Sequence, residues 1–494
     1  MNIDFLKNMK SEYKMFGIFL LVHLLVWTFI GMIRTVMPTD SLEGVYWGMF
    51  HDFGTPKHPP LAGWLTYLAY APLKSDFCVY LLSQAFIVGG FIYIYRLARK
   101  FLDENKSMLA VILLEGCWCY SYVTGYYGFN PDVILLFTLP AITFYFHNCI
   151  TTNKGSDWLK LGILVGFSFL NKYQTALIIL PMLIWVLMFK REVFKNKFFY
   201  IAAFIATIIF LPHILWLIKY DFYPLMYFEG ELTAPNWYHH ITAPLMFFLM
   251  QIVAIAGSLA IFLVLKLKYK SPFKLPESFN KQDLWFILLI GLTPLAIHLL
   301  LGFYSGGTMR PRWGYEFWYM TGIMLFYFFP IEINKKEFVF TLKSAYILMT
   351  IVFLALGTLL AVEKNYRSRY PVATVYQDLK EIWGEKIDTP IKYVGGYIEW
   401  TLPLTIYGDN HPYAILDNHG YPDPWLSEDD IQKSGVMIIG RKKQDIVDYT
   451  KLSCPYLPED YKITPVEYRF DVHNALGMAR EYKIYYFIVP PIQD

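Results

Sequence analysis

The sequence predicts a mostly α-helical membrane protein: a polytopic transmembrane helical domain of about eleven spans, followed by a small soluble α/β domain. Its composition is the first reason, because 56% of the 494 residues are hydrophobic and only 17% are charged, which is too apolar for a soluble chain of this length. The second reason is that the apolar runs reach the roughly 17 to 25 residues that a bilayer requires. The third is that Lys and Arg gather in alternate gaps between these runs.

The first apolar run follows Lys10 and Lys14, yet it is long enough to span and has no small-residue cleavage site. We therefore predict a retained helix here rather than a removed signal peptide. Runs with the length and hydropathy of a span lie near residues 15–36, 77–97, 107–124, 131–150, 158–171, 174–190, 198–219, 241–265, 283–303, 314–331 and 339–361.

The loop charges predict how these spans are oriented. Cytoplasmic loops carry an excess of Lys and Arg, so the N-terminus is predicted to be cytoplasmic and the chain after Val362 periplasmic. The gaps assigned to the inside hold clusters of cations, and those assigned to the outside hold only isolated ones. The outer cations are Lys57, Lys74, Lys172, Arg310 and Arg312.

Composition changes near residue 362, which predicts a transmembrane domain over residues 1–362 and a periplasmic α/β domain over residues 363–494. The Gly395-Gly396 pair lacks the third glycine and the acidic residue of a dinucleotide site, so we predict a turn there. Strand-like runs at 391–394 and 436–439 alternate with helix-like runs at 375–383 and 445–452.

Several classes of partner and cofactor are disfavoured. A net charge of +3 spread over separate loops makes nucleic acid an unsuitable partner. The five cysteines form neither a disulfide framework nor a zinc spacing. We predict no cofactor; a divalent metal held by His239 and His240 is an alternative that the pattern alone does not support.

The first outer loop holds the main candidate residues. Asp40 and Glu43 follow the first span directly, and Lys57-His58-Pro59-Pro60 comes some way further on. Carboxylates at a membrane edge often serve ions, substrates or catalysis. The alternative is that Asp40 or Ser41 only caps a short helix.

These residues resemble the first periplasmic loop of the glycosyltransferase superfamily that contains aminoarabinose transferases and protein O-mannosyltransferases, in its lipopolysaccharide-modifying branch. In those enzymes a lysine directly precedes the Pro-Pro pair, whereas His58 does so here and Lys57 stands one position earlier. Further motifs resemble that branch along the chain: Asn130-Pro131-Asp132, Asn171-Lys172-Tyr173-Gln174, Leu211-Pro212, Arg310-Pro311-Arg312-Trp313-Gly314, Gly395-Gly396-Tyr397 and Asp423-Pro424-Trp425.

The resemblance implies a GT-C-like fold in the bacterial inner membrane and an inverting glycosyltransferase. The implied reaction moves a sugar from a polyprenyl-phosphate-linked donor to an outer-face acceptor, lipid A or lipopolysaccharide core. Two alternatives stay open: a flippase or transporter of lipid-linked glycans, and a protein O-glycosyltransferase. A transporter would be expected to carry charged residues within several spans, whereas the candidate charges here lie in outer loops.

Chemistry assigns roles to the candidate residues. Breaking the bond to a polyprenyl phosphate builds negative charge, which cations in a site of low dielectric constant stabilise. Lys57, Lys172, Arg310 and Arg312 are suited to this, and Asp40 is the candidate catalytic base. The alternative for Lys172 is that its side chain only snorkels to the membrane interface. The alternative for the two arginines is simple contact with lipid headgroups. Predicted substrate-binding residues also include Glu43, His58 and Asp132, although Asp132 could instead be a helix N-terminal residue favoured by the dipole.

Overall fold

The computed structural model describes residues 10–231, 234, 236–416, 423 and 425–492, without the side chains at positions 227, 228, 230 and 231. Pro424 of the predicted Asp423-Pro424-Trp425 motif lies outside these residues. The helices up to residue 362 are α1 (Ser11–Gly31), α2 (Thr39–Met49), α3 (Leu61–Tyr70), α4 (Asp76–Ala98), α5 (Glu104–Ile112), α6 (Tyr122–Tyr127), α7 (Pro131–Thr152), α8 (Gly155–Phe169), α9 (Ala176–Phe189), α10 (Lys197–Lys219), α11 (Tyr223–Glu231), α12 (His239–Lys268), α13 (Lys281–Ser305), α14 (Thr321–Phe328) and α15 (Lys335–Val362).

Among the described residues, seven helices are long and apolar enough to cross a membrane: α1, α4, α7, α10, α12, α13 and α15. Large apolar side chains on these helices point away from the protein, including Phe204 (65% exposed), Leu215 (60%) and Ile351 (58%). A hydrocarbon environment would cover such surfaces, because water would leave them as an exposed apolar patch.

The other four predicted spans are helical but short or interrupted, so the count of eleven stays a prediction. The predicted run 107–124 breaks after α5 into short 3₁₀ turns, where Gly116 lies against the backbone of α12. A Cβ at Gly116 would come within 2.2 Å of the Ser258 amide nitrogen. The run 314–331 is likewise divided into the 3₁₀ segment Pro311–Met320 and α14.

The short helices α2 and α3 form a hairpin at the end of α1, in the first outer loop of the predicted topology. Their backbones approach closely, because a Cβ at Gly48 would lie 2.2 Å from the Gly63 carbonyl oxygen. Glycine at position 48 is thus required for this packing, which brings residues 40–43 of α2 towards the loop before α3.

The C-terminal residues form a small α/β unit, as predicted. A five-stranded sheet has the order β2-β1-β3-β5-β4, in which β1 pairs in parallel with β2 and β3, and β5 pairs antiparallel with β3 and β4. The elements are α16 (Tyr366–Arg369), α17 (Val372–Gly384), β1 (Tyr393–Gly396), α18 (Ile398–Tyr407), β2 (Tyr413–Leu416), α19 (Glu428–Ser434), β3 (Val436–Gly440), α20 (Lys443–Ser453), β4 (Val466–His473) and β5 (Ala479–Val489).

The predicted turn at Gly395-Gly396 is wrong, because both glycines belong to β1. Gly396 has a φ of 136°, and a Cβ there would lie 1.9 Å from the Ile439 carbonyl oxygen of β3. The glycine therefore lets a central strand end in close contact with its neighbour.

The C-terminal unit packs on the α2–α3 hairpin and the residues before it. The Met37 amide donates to the Tyr407 hydroxyl (3.1 Å), and the Tyr46 hydroxyl donates to the Ala414 carbonyl (2.5 Å). Phe50 stacks on Trp425 with ring centroids 4.6 Å apart. These contacts bury the outer face of the hairpin, so α2 is held from both sides.

Candidate active site

All eight residues predicted for the site line one cleft, which encloses about 780 Å³ of space partly open to solvent. They come from α2, from the loop between α2 and α3, from the first turn of α7, and from the chain that follows α8 and α13, all of which the fold brings to one end of the helical bundle. The eight are Asp40, Glu43, Lys57, His58, Asp132, Lys172, Arg310 and Arg312.

Asp40 faces the cleft from the first turn of α2. Its carboxylate accepts a hydrogen bond from Arg312 Nη1 at 2.6 Å, and both side chains are about one quarter exposed. Among the described residues no side chain caps α2, and the Ser41 hydroxyl donates instead to the Phe129 carbonyl at 3.0 Å. The alternative in which Asp40 or Ser41 caps the helix is therefore wrong.

Asp132 and Lys172 form a second ion pair in the cleft. Asn130 caps α7 by accepting from the amides of Asp132 and Val133, at 2.9 and 3.3 Å, so the Asp132 carboxylate is not needed as a cap. Asn171 donates to the Pro131 carbonyl at 2.8 Å, which fixes the two loops together. Lys172 is only 12% exposed and pairs with Asp132, so its ammonium group is turned into the cleft rather than away from the protein.

Glu43 and Lys57 form the third pair, one turn of α2 beyond Asp40. Burial raises the pKa of Glu43 above its ordinary value, and the charge of Lys57 opposes that rise. The Thr55 hydroxyl accepts from the backbone amide of His58 at 3.0 Å and donates to the His58 carbonyl at 2.8 Å. This tight turn directs Lys57 back towards α2.

His58 lines the same cleft but carries no charge near neutral pH. Burial lowers its pKa to about 3, and the nearby charge of Lys172 lowers it further. A neutral imidazole can donate one hydrogen bond and accept another, so His58 is suited to bind a sugar hydroxyl rather than to neutralise a phosphate.

Arg312 connects two of the ion pairs. Its Nε lies 4.0 Å from the Asp132 carboxylate, in addition to its contact with Asp40. Burial disfavours its charge, but Asp40 and Asp132 outweigh burial and raise the pKa of Arg312 above its ordinary value. Glutamine side chains anchor the arginine loop, since Gln251 donates to the Pro311 carbonyl (2.8 Å) and Gln174 to the Trp313 carbonyl (3.0 Å).

The cleft is electrostatically suited to an anion. Its three carboxylates face four cations, because Arg310 also lines the cleft with its guanidinium 5.9 Å from the Trp313 ring. With His58 neutral, one positive charge remains in excess. Neighbouring carboxylates hold Lys57, Lys172 and Arg312 in place, so an incoming phosphate would meet preorganised donors.

Two charged residues near this cleft were missed because they fall inside predicted spans. Glu316 is 1% exposed, and neither of its carboxylate oxygens has a hydrogen-bond partner among the described residues. It shares a smaller cavity with Asp132 and Arg312. Arg34 lies beyond the end of α1 and lines a second cavity next to Asp40. A search for single charges within apolar runs would have found both.

Metal ligation has little support in the described part of the chain, where no group of three or more His, Cys, Asp or Glu side chains comes together. His240 lies beside a backbone carbonyl instead, with Nδ1 3.1 Å from the Phe303 oxygen. The prediction of no cofactor is unchanged by these positions.

Comparison with known proteins finds one family model, a curated relative and several solved structures that resemble this chain. Residues 57–216 match the family model described as dolichyl-phosphate-mannose-protein mannosyltransferase. The crystal structure of ArnT from Cupriavidus metallidurans bound to undecaprenyl phosphate superposes with a TM-score of 0.61, over 96% of this chain and 97% of that one, at 13% sequence identity. The chain has the ArnT-like GT-C fold.

ArnT in the apo state matches over the same shares of the two chains, with a TM-score of 0.58 and 12% identity. Among curated proteins, the lipid A galacturonosyltransferase RgtD of Rhizobium johnstonii is 23% identical over 188 residues. That match covers 37% of this chain and 38% of RgtD. The predicted resemblance is confirmed at the level of the ArnT-like fold and of a partial match to a lipid A galacturonosyltransferase, which spans little more than a third of either chain. The chain is a multi-pass membrane protein.

The family match and the ArnT-like fold cover the candidate residues unequally. The matched segment begins at Lys57 and includes His58, Asp132 and Lys172. Asp40, Glu43, Arg310 and Arg312 lie outside it, and only the fold brings them into the same cleft.

Proposed function

We propose that this chain is a bacterial inner-membrane glycosyltransferase that transfers a sugar from a polyprenyl-phosphate-linked donor to lipid A or lipopolysaccharide core. The observation that carries the proposal is the convergence of Asp40, Lys57, Lys172 and Arg312 in one cleft. Two comparisons support the substrate classes, since ArnT has been crystallised with undecaprenyl phosphate and RgtD is a lipid A galacturonosyltransferase.

The cations act on the leaving group. As the bond between the anomeric carbon and the phosphate oxygen breaks, the electron pair leaves with the polyprenyl phosphate. Lys57, Lys172 and the Arg310–Arg312 loop hold that charge, and Arg312 can bind two phosphate oxygens at once. Each lysine has three donors, so it can contact a phosphate while it keeps its carboxylate partner.

Asp40 acts on the acceptor. The acceptor oxygen attacks the anomeric carbon from the face opposite the phosphate, which inverts the configuration. Where that oxygen belongs to a hydroxyl, its proton passes to Asp40 as the new bond forms. Where it belongs to a phosphate, no proton has to leave, and Asp40 with Arg312 orients the nucleophile.

The proposed orientation places the cleft and residues 363–494 in the periplasm and the N-terminus in the cytoplasm. The far end of the bundle supports it, since residues of the predicted inner loops meet there. Lys10 Nζ lies 3.0 Å from Glu104 Oε2, and Lys190 Nζ donates to the Ile150 carbonyl at 2.5 Å. An outward cleft would receive a donor that has already crossed the membrane, since nucleotide sugars are absent outside it.

The proposal is tested by an assay of sugar transfer in detergent solution. A strain lacking the protein should accumulate both the unused lipid-linked sugar and the unmodified acceptor in its lipid extract. Purified protein, added to that extract in detergent solution, should add one sugar mass to lipid A or core within the time course. Heat-inactivated protein is the control.

A flippase gives a different result in the same assay. It moves a lipid between leaflets, so it has nothing to do where no bilayer separates two sides. Restored glycoforms in cells together with no transfer in detergent would therefore overturn the transferase proposal. Glycoforms that are the same with and without the protein would overturn the proposed acceptor.

A further inference from the structure

A second cavity lies next to the cleft, on the other side of Asp40. It encloses about 1500 Å³ including space open to solvent, and it shares Asp40, Arg310 and Arg312 with the cleft. We call it the arginine chamber, because Arg34 and Arg367 also line it. Asp40 thus lies at the boundary between two compartments, where a donor on one side and an acceptor on the other would meet.

Arg34 is held in a fixed position in the arginine chamber. Its Nη2 donates to the Tyr126 carbonyl at 3.0 Å, and its guanidinium carbon lies 4.7 Å above the centre of the Tyr126 ring. Its Nε is buried and has no hydrogen-bond partner among the described residues. A buried donor without a partner is costly unless a ligand or a water molecule accepts its hydrogen bond, and the rest of the Arg34 side chain is only partly buried, so a ligand can reach it.

Arg367 and Glu399 bring the C-terminal unit into the chamber. Arg367 Nε lies 2.7 Å from Glu399 Oε1, and the Tyr366 hydroxyl donates to Glu399 Oε2 at 2.7 Å. Tyr366 stacks on the buried Trp400 with ring centroids 4.1 Å apart, which fixes this corner. The Arg367 side chain remains half exposed, so its outer donors can reach a ligand.

The chamber lies beside the ends of two candidate membrane spans. Arg34 comes three residues after the end of α1 at Gly31, and Arg367 five residues after the end of α15 at Val362. Both of these helices are candidate spans. A lipid whose acyl chains lie along the bundle would therefore present its polar head to these arginines.

The charges of the lining favour an anionic head. Four arginines, Arg34, Arg310, Arg312 and Arg367, face two carboxylates, Asp40 and Glu399. Guanidinium groups match the geometry of phosphate oxygens. Aromatic rings also line the chamber: Tyr122 and Tyr126 stack 5.8 Å apart beside Arg34, and such faces pack against sugar rings.

We propose that the arginine chamber binds the phosphate-bearing head of the acceptor lipid, with Arg34 and Arg367 as acceptor-specificity residues. This inference rests on the proposed function and deepens it, because it makes the C-terminal unit part of the acceptor site. The bound head would place its nucleophilic oxygen beside Asp40, across from the donor cleft.

Binding by the purified full-length protein in detergent tests the proposal. The probes are lipid A with two phosphates, lipid A with one phosphate, phosphatidylglycerol and undecaprenyl phosphate. The native protein should bind lipid A with two phosphates about tenfold more tightly than either the one-phosphate form or phosphatidylglycerol. Undecaprenyl phosphate reports on the donor cleft and on correct folding.

Arg34→Gln should weaken the binding of two-phosphate lipid A by about tenfold and leave undecaprenyl phosphate binding unchanged. Arg367→Gln should act in the same direction, less strongly because that side chain is half exposed. Arg34→Lys should recover part of the lost affinity for two-phosphate lipid A, since it keeps the positive charge but lacks the planar guanidinium group.

Several results of these binding measurements would overturn the inference. Equal binding of the lipid A forms, equal binding of phosphatidylglycerol, or unchanged affinity in Arg34→Gln would each exclude a phosphate-reading acceptor site. If the native protein binds undecaprenyl phosphate but not lipid A, this inference fails while a transferase with another acceptor stands. If it binds neither, the proposed function fails as well.

Discussion

The guanidinium of Arg312 donates to the carboxylate of Asp40 across 2.6 Å, although the two residues are 272 positions apart in the chain. The same guanidinium lies 4.0 Å from Asp132, which itself pairs with Lys172. Three separate loops therefore meet at Arg312. Any substrate phosphate that binds here enters an existing network of charges, so the effects of single substitutions should depend strongly on which partner remains.

Substitutions in the Asp132–Lys172 pair should affect the free energy of unfolding and the transfer rate in distinguishable ways. Lys172→Gln removes the nearest partner of the mostly buried Asp132 carboxylate and leaves only Arg312 at 4.0 Å, so the free energy of unfolding should fall by about 2 kcal/mol. It also removes a cation from the leaving group, which should lower kcat by about 10² to 10³. Thermal unfolding in detergent and transfer rates measure the two effects.

The double variant Asp132→Asn with Lys172→Gln is the matched control. It removes both charges and should recover much of the lost stability but none of the lost activity. Lys74→Gln, at an exposed outer lysine, should change neither quantity. Full activity in Lys172→Gln would exclude a role in catalysis.

The Glu43–Lys57 pair should respond unequally to its two substitutions. Lys57→Gln removes the cation beside a carboxylate that is only 7% exposed, whereas Glu43→Gln removes the carboxylate beside an ammonium that is 22% exposed and can turn towards water. We expect Lys57→Gln to destabilise the protein by about 2 kcal/mol and Glu43→Gln by less than about 1 kcal/mol. Equal or reversed shifts in the melting temperature would contradict this account of the pair.

His58 should not titrate in the working range. Its pKa is lowered to about 3, so the proton is lost as pH rises through that value and the ring is neutral from about pH 5 upward. Transfer rates measured between pH 5 and 8 should have the same pH dependence in the native protein and in His58→Asn. An acid limb near pH 6.5 that disappears in the variant would show that His58 does titrate during catalysis.

Gly48 should tolerate no side chain. An alanine Cβ would lie 2.2 Å from the Gly63 carbonyl oxygen and 2.4 Å from Tyr67 Cβ, so α2 and α3 would have to separate. Gly48→Ala should therefore lower the free energy of unfolding by about 1 to 3 kcal/mol and reduce transfer, since Glu43 and Lys57 sit on opposite sides of this contact. Gly17→Ala is the control, because nothing lies within 4 Å of its Cβ; an equal loss there would point to a general effect of glycine replacement in helices.

The sequence predicts which residues line the cleft, but it does not predict which side chains pair with one another. Each predicted residue stands in or beside a gap that the loop charges assign to the outer side, so the predicted topology already places all of them at the same face of the membrane. The pairing of Asp40 with Arg312 could not be predicted, because nothing in the spacing of distant loops specifies which side chains meet. The same limit applies to the contact between Tyr46 and Ala414, which seats the C-terminal unit on α2.

Averaging hydropathy along the chain also fails to detect single charged residues and helix interruptions within the predicted spans. A window of many apolar residues averages out one charge, so Arg34 and Glu316 were included in spans 15–36 and 314–331. The interruption near Gly116 was hidden for a related reason, since broken helices inside a bundle keep their apolar composition while neighbouring backbones approach.

The most direct test of the account is the substitution Asp40→Asn in cells, with lipid A and core oligosaccharide examined by mass spectrometry. Cells lacking the protein are complemented with the native chain, with Asp40→Asn, or with Asp52→Asn as a control from the same loop, at matched membrane abundance. We expect a single-sugar mass that vanishes on deletion, returns with the native chain and with Asp52→Asn, and stays absent with Asp40→Asn. Full return of that mass with Asp40→Asn would contradict the central claim that Asp40 acts on the acceptor between the two compartments.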